Sequence, residues 1–217
     1  MDYYVVVDLE MCKVPKENKT EAFHWKQETI QIGAVLLNGE YEIVDKFNTM
    51  VSPEFGYLDP FVKRLTGITP VDVAGAPKMA EAMRMFTDWI PKGDVRIVSW
   101  SDSDEKQFRH EIEGKSIVNS RMEELLDSWI DCQVTFSEKM DAENRYTLRE
   151  ALIAANIIQE GSEHDGLTDA YNTAILFKKM ETEENFKLNE LYEAARYGEV
   201  EHLSCTIGEL IKVSWEN

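Results

Sequence analysis

Tyr3-Tyr4-Val5-Val6-Val7 is an unbroken apolar run that stops at Asp8. Over residues 3 to 10 it predicts a buried strand whose carboxyl end opens at a site. Residues 11 to 27 read as a polar connection. Two further strands are expected at Glu28 to Leu37 and Tyr41 to Val51, joined at Asn38-Gly39, a pair that tolerates the positive φ of a two-residue hairpin turn. The segment Pro53 to Thr69 holds a short helix ending near Thr66-Gly67, with Pro70 as a further breaker. A longer helix starts at Pro77, places Ala82, Met85, Phe86 and Trp89 at helical spacing, and stops at Pro91. Val95 to Trp100 is the next strand and Asp104 to Ile112 the helix after it.

Beyond that point the periodicity is weaker. It supports a helix near Arg121 to Leu126 and a strand, or a strand passing into a helix, around Trp129 to Phe136. Thr147-Leu148-Arg149-Glu150 has capping-box spacing and opens a helix through Ala155. Thr168 is placed to cap a helix running to about Met180, with Asp169 in its first turn, and a last amphipathic helix spans about Asn185 to Tyr197. The expected class is α/β, opening with three antiparallel strands.

Composition narrows the field. With 217 residues, 43% hydrophobic and 29% charged, the chain suits one large catalytic domain with a substantial core. No internal repeat or low-complexity linker marks a boundary. No apolar run reaches bilayer-spanning length, and the start at Asp2 lacks a basic leader with a cleavage site. The expectation is a cytoplasmic protein with no membrane partner. Cys12, Cys132 and Cys205 are odd in number and lack metal-ligand spacing, which reads as reduced thiols. A net charge of −18 argues against tight, nonspecific duplex binding. Bound divalent cations would neutralise a carboxylate cluster locally, and a short single-stranded end needs few phosphate contacts.

Three acidic signatures carry the chemistry. Asp8 and Glu10 flank Leu9 at strand spacing, so both carboxylates leave one face while Leu9 points into the packing. An acid closing a buried strand is costly unless paired or coordinated. After the Val95 to Trp100 strand, spacing leaves Asp102 and Asp104 equal as metal ligands, and a helix cap is the rival duty for an acid there. His164 precedes Asp169 by five residues; a histidine in a loop before a helix with an acid in its first turn can put a base over a phosphate while the acid holds a metal. A loop histidine satisfied by a neighbouring carboxylate is the alternative.

Taken together, these segments resemble the DEDDh branch of the DnaQ-like 3′–5′ exonucleases, nearest their RNase T and histone-mRNA-exonuclease relatives. Asp8-Leu9-Glu10 matches the first exonuclease motif, Trp100-Ser101-Asp102-Ser103-Asp104 the second, and His164-Asp165-Gly166-Leu167-Thr168-Asp169-Ala170 the third. The hairpin, Leu65-Thr66-Gly67-Ile68-Thr69 and Trp129-Ile130-Asp131 resemble the family in order and spacing. Coverage runs from residue 3 to about 180. Met11 and Cys12 stand where relatives often carry a small residue and a threonine, and Ser101 where they carry Gly or Asn.

The resemblance implies an RNase H-like mixed sheet, three antiparallel strands followed by parallel strands and flanked by helices, with an exonuclease domain over 1–180 and a helical extension over 181–217 packed on the same domain. It favours Asp104 over Asp102. It implies two Mg²⁺ or Mn²⁺ ions, with Asp8 bridging, Glu10 and Asp169 completing the firmer site, Asp104 holding the second, and His164 deprotonating the attacking water. Leu9, Met11, Thr66, Gly67 and Ile68 become expected contacts to the terminal nucleotide. Trp25, Lys26, Lys63 and Arg64 are further candidates for the strand, with core or solvent-facing duty as their alternative; for Thr66-Gly67-Ile68 the alternative is an ordinary helix stop with Ile68 packed beneath. The expected partner is the 3′ end of single-stranded nucleic acid, RNA ahead of DNA.

Overall fold

In the computed structural model, which describes residues 2–140, 145–184, 186, 187 and 189, five strands and eight helices follow in sequence. They are β1 Tyr3–Lys13, β2 Gln27–Asn38, β3 Ile43–Met50, α1 Pro60–Thr66, α2 Pro70–Val73, α3 Met79–Trp89, β4 Val95–Ser99, α4 Ser103–Lys115, α5 Ser120–Leu126, β5 Trp129–Asp131, α6 Cys132–Lys139, α7 Leu148–Ala154 and α8 Gly166–Thr182. The sheet order is β3-β2-β1-β4-β5. The first three strands are antiparallel neighbours, whereas β4 and β5 run parallel to β1. This is the RNase H-like mixed sheet anticipated above.

Strand alternation divides the core into two layers. Val5, Val7, Leu9, Ile32 and Ala34 face α3, α4 and α5, around Met83, Phe86 and Phe108. Val6, Val35, Leu37 and Val98 face α6, α7 and α8, around Phe136, Ala170 and Phe177. Buried on both faces, β2 reads as a continuous apolar stretch interrupted at Gln31 and Gly33. Each fully buried Val, Leu or Ile in such a sheet contributes about 1.5–3 kcal/mol.

Gly33 has a specific duty. A methyl group there would overlap the backbone of Gly166 and Leu167, so the first turn of α8 lies directly on β2. Gly33 pairs with Asp8 across the ladder, and a Cβ on Gly166 would stand 3.1 Å from the Asp8 carbonyl. Buried Gln31 fixes the same turn: its Oε1 accepts from Gly166 N at 3.0 Å, and its Nε2 donates to Asp165 at 3.3 Å and Asn48 at 3.0 Å.

A buried ionic network closes the opposite side. Glu28 accepts backbone N–H groups of Glu54, Phe55 and Gly56 at 2.6, 2.8 and 2.5 Å. Lys115 lies 2.7 Å from Glu28 and 2.8 Å from Glu111, and Glu111 accepts from Thr29 N at 2.7 Å. The network ties α4 and the 54–56 loop to β2.

Several expected boundaries move. β1 runs three residues past Glu10, because Gln27, Glu28 and Thr29 of β2 pair with Lys13, Cys12 and Met11. The residue with positive φ in the hairpin is Tyr41, at 61°, and not Gly39. Asn38 Oδ1 organises that longer turn by accepting from Glu40 and Glu42, and Tyr41 stacks on Tyr4 at 5.1 Å between ring centroids. Pro70 starts α2 instead of breaking a helix, as its fixed φ suits a first position. The next helix begins at Met79, and Met83 rather than exposed Met85 fills the core. Asp165 caps α8 by accepting from Thr168 N at 2.9 Å, a role expected of Thr168. The Thr147 capping box forms as its spacing predicts.

The helix expected over Asn185 to Tyr197 falls mostly outside the described residues. Of its start, Phe186 meets Phe136 at 6.1 Å between centroids and Asn189 N donates to Ala154 O at 2.7 Å. Among the described residues no helix is long and apolar enough to cross a membrane.

Two measurements probe this packing. Gly33→Ala should lower unfolding free energy by about 3 kcal/mol or more in urea titration, because backbone cannot yield as a side chain does. Burial raises the Cys12 thiol to about 12, so alkylation mapping at pH 8 should leave Cys12 unlabelled until the chain is denatured.

Candidate active site

Parity along β1 sets the floor of the site. Val6 faces α8, so Asp8 and Glu10 emerge on that face, where Gly33 brings the first turn of α8 onto the sheet. Glu10 pairs with Gln31, and the register slips immediately afterwards between Glu10 and Met11. That bulge ends the regular ladder beside the carboxylate. Glu10 is 7% exposed and Asp104 4%.

Asp104 reaches the floor from the first turn of α4, accepting from Leu9 N at 3.0 Å. Asp102 takes the other course: at the helix N-cap it turns to Lys106 at 2.6 Å, with a side chain 37% exposed. Geometry thus separates two acids that spacing alone leaves equal.

The third contribution comes from the loop into α8. His164 has φ of 62°, a left-handed conformation uncommon outside glycine and costly for a histidine by about 1–2 kcal/mol. Its N–H donates to Asp169 Oδ2 at 2.8 Å, which holds the backbone in place. One ligand atom from each of Glu10, His164 and Asp169 lies within 4.8 Å of the others.

Electrostatics makes this assembly unstable as a set of bare anions. Burial, then Asp104, Glu10, Asp169 and Asp165, holds the Asp8 carboxyl well above its ordinary range. Burial first, and Asp169, Asp104 and Asp165 after it, raise Glu10 to about 8. Asp104 rises to about 7 through burial, opposed by the Leu9 N–H. Asp169 is raised by burial and pulled back by the N–H and charge of His164. Among the described residues, no lysine or arginine pairs with any of the four.

Like charges about 4 Å apart repel by about 4 kcal/mol at an effective dielectric of 20. An all-oxygen set with one imidazole nearby fits a hard divalent cation of the Mg²⁺ or Mn²⁺ kind. Glu10 and Asp169, with His164, are close enough together to hold one; Asp8 and Asp104 stand outside that group, although each raises or is raised by its carboxyls.

The expected nucleotide contacts are distributed differently. Leu9 is 6% exposed within the α3/α4 layer. Met11 is half-buried and packs against the same layer. Ile68 packs under Cys12, Ile30, Val62 and Val73. Thr66 Oγ1 donates to Val62 O and accepts from Ile68 N, each at 3.0 Å. Gly67 closes α1 at φ 75°, with open space where a side chain would project. Trp25 is stacked between His24 and His110, at 4.2 and 3.7 Å between centroids, while Lys26, Lys63 and Arg64 are exposed. Gln31, Gly33 and Asp165 escaped sequence reasoning. The signal available for the first two was their interruption of an apolar strand at alternate positions.

Comparison with known proteins gives a consistent assignment. The RNase T family model, described as exonuclease, matches residues 5–177. "ERI1 exoribonuclease 2" of Danio rerio is 32% identical over 180 residues, covering 72% of this chain and 32% of its own length. This chain thus spans about a third of that relative. DNA polymerase III subunit epsilon of Aquifex aeolicus is 30% identical over 191 residues, covering 85% of this chain and 83% of its own. Among solved structures, the nuclease domain of 3′hExo, a DEDDh family member bound to rAMP, superposes with a TM-score of 0.73 at 24% identity, covering 87% of this chain and 96% of that one. At that identity the likeness establishes the fold.

Because Asp8 is repelled by its neighbours, Asp8→Asn should raise the melting temperature in chelator, by about 2–4 °C for each 1 kcal/mol of repulsion relieved. Excess Mn²⁺ should raise the melting temperature of the wild type and raise that of Asp8→Asn much less. Differential scanning fluorimetry reads both effects.

Proposed function

We propose, on the premise that this chain belongs to the RNase T exonuclease family, that it removes nucleotides one at a time from the 3′ end of single-stranded nucleic acid as nucleoside 5′-monophosphates. The observation that carries the reading is the convergence of Glu10, His164 and Asp169 within 4.8 Å, with Asp8 and Asp104 close enough to raise the Asp8 carboxyl further. Two Mg²⁺ or Mn²⁺ ions, when bound, supply positive charge to the scissile phosphate and make water acidic enough to attack. Asp8, Glu10, Asp104 and Asp169 would hold them, Asp8 lying near enough to feel the charges of the other three.

His164 takes the proton of the attacking water at an imidazole nitrogen. Its backbone bond to Asp169 holds the main chain that carries the ring, and Asp165 with Gln31 keeps the loop in register. Asp104 also fastens β1 to α4 through Leu9 N, so the floor is rigid before substrate arrives. Thr66 and Gly67, with half-buried Met11, would contribute the wall against which the terminal nucleotide rests, while Leu9 and Ile68 are buried in the packing.

RNA is the favoured substrate because the exoribonuclease relatives point that way. A DNA-directed proofreading role is the second reading, favoured by the polymerase subunit that aligns over most of its own length. The domain assignment goes with the proposal: 1–180 is catalytic, and the extension expected over 181–217 lies mostly outside the described residues, of which Phe186 and Asn189 contact Phe136 and Ala154. Buried, unpaired Cys12 and Cys132 suit a reducing cytoplasmic setting.

Digestion of 5′-labelled RNA and DNA twelve-mers, single- and double-stranded, with Mg²⁺ and with Mn²⁺, tests the whole reading. The expected product is a ladder shortening from the 3′ end, fastest on single-stranded RNA. Asp8→Asn and His164→Ala should each slow it by about a hundredfold or more. Wild-type turnover in Asp8→Asn would overturn the mechanism; faster loss of the DNA ladder would transfer the assignment to the second reading.

A further inference from the structure

A net charge of −18 repels the polyanion that the proposed reaction requires, so cations left unpaired acquire significance. Many basic side chains are neutralised: Arg84 by Glu81 and Asp88, Lys106 by Asp102, Arg109 by Glu105, Lys178 by Glu42, and Lys115 between Glu28 and Glu111. Lys13, Lys63 and Arg64 are exposed, and among the described residues none has a carboxylate within ion-pair distance.

These three cations lie on adjoining pieces of the fold. Lys13 ends β1 and its carbonyl accepts from Tyr57 N at 3.2 Å, two residues before the cap of α1. Val62 of α1 and Ile68 bury against Cys12. Cys12 is two residues beyond Glu10, which is about 7 Å along a strand. The helix therefore stands beside the carboxylate floor.

Its outward face is apolar as well as basic. With Val62 turned inward, Phe61, Arg64 and Leu65 share a side at i, i+3 and i+4 spacing. Phe61 is 60% exposed and Leu65 39%, although α1 is only seven residues long. An exposed ring beside unpaired cations matches single-stranded nucleic acid, whose bases stack and whose phosphates seek charge. A protein ligand would use the apolar side chains and leave the cations idle.

We infer that this face of α1 is the track for the single strand immediately 5′ of the scissile phosphodiester, with a base on Phe61 and phosphates on Arg64 and Lys13. The inference rests on the exonuclease reading and adds to it a preference for substrates longer than the cleaved unit.

The test compares kcat/KM for single-stranded RNA of twelve and of two nucleotides in the wild type, Phe61→Ala, the Lys13→Ala/Arg64→Ala double variant and a remote control, Val118→Ser, with melting curves as the check on folding. The twelve-to-two ratio should fall about tenfold in Phe61→Ala. In the double variant the salt dependence of twelve-mer binding should flatten by about 0.7 for each phosphate contact removed. Val118→Ser should keep the wild-type ratio. An unchanged ratio in Phe61→Ala and an unchanged salt slope in the double variant would overturn the track. Fluorescence anisotropy with the same twelve-mer separates the two failures: weaker binding by Phe61→Ala in a chain that hydrolyses neither RNA supports the track and sinks the exonuclease reading, whereas equal binding sinks the track.

Discussion

The site depends on one close approach, that of α8 to the sheet at Gly33. Asp8 and Glu10 belong to a strand and Asp169 to a helix, and carboxylates on separate layers meet only if the layers nearly touch. Side chains normally keep a helix about 10 Å from a sheet; Gly33 and Gly166 remove that spacing where β1 turns acidic. Gln31 then supplies the polar partner that the exposed first turn of α8 requires. Two glycines and a glutamine, none of them reactive, decide whether the acids form a centre.

That proximity has an energetic cost, which the rest of the fold bears. Burial and mutual repulsion both disfavour the ionised carboxylates, and His164 adds a strained backbone. The two apolar layers and the tightly paired β1–β2 ladder offset it. This is the arrangement expected where charge is kept ready for a ligand of opposite sign, and it explains why, among the described residues, these acids have no lysine or arginine partner while helix surfaces elsewhere are laced with ion pairs.

Much of this was legible in the sequence, for identifiable reasons. The apolar run ending at Asp8 disclosed the strand and its opening, and the Thr147 box disclosed a helix start, because both are local patterns. The choice between Asp102 and Asp104 was not local; it followed from Leu9 N, 95 positions away in the chain for Asp104. Tyr41 took the positive φ expected of Gly39 because stacking on Tyr4 rewards it. Asp165 displaced Thr168 as the cap through bonds that depend on Gln31 of a distant strand. Local chemistry could be read directly, whereas decisions made by tertiary partners could not.

The ionic knot of Glu28, Glu111 and Lys115 carries an evolutionary implication. Three ionised groups out of water are tolerable only as a company: losing the lysine strands two carboxylates, and losing either acid leaves backbone N–H groups without an acceptor. Single replacements therefore pass through a badly destabilised intermediate, while a concerted exchange for well-packed hydrocarbon need not. This corner of the molecule is accordingly expected to drift as a block or stay fixed, whatever freedom the neighbouring surface enjoys.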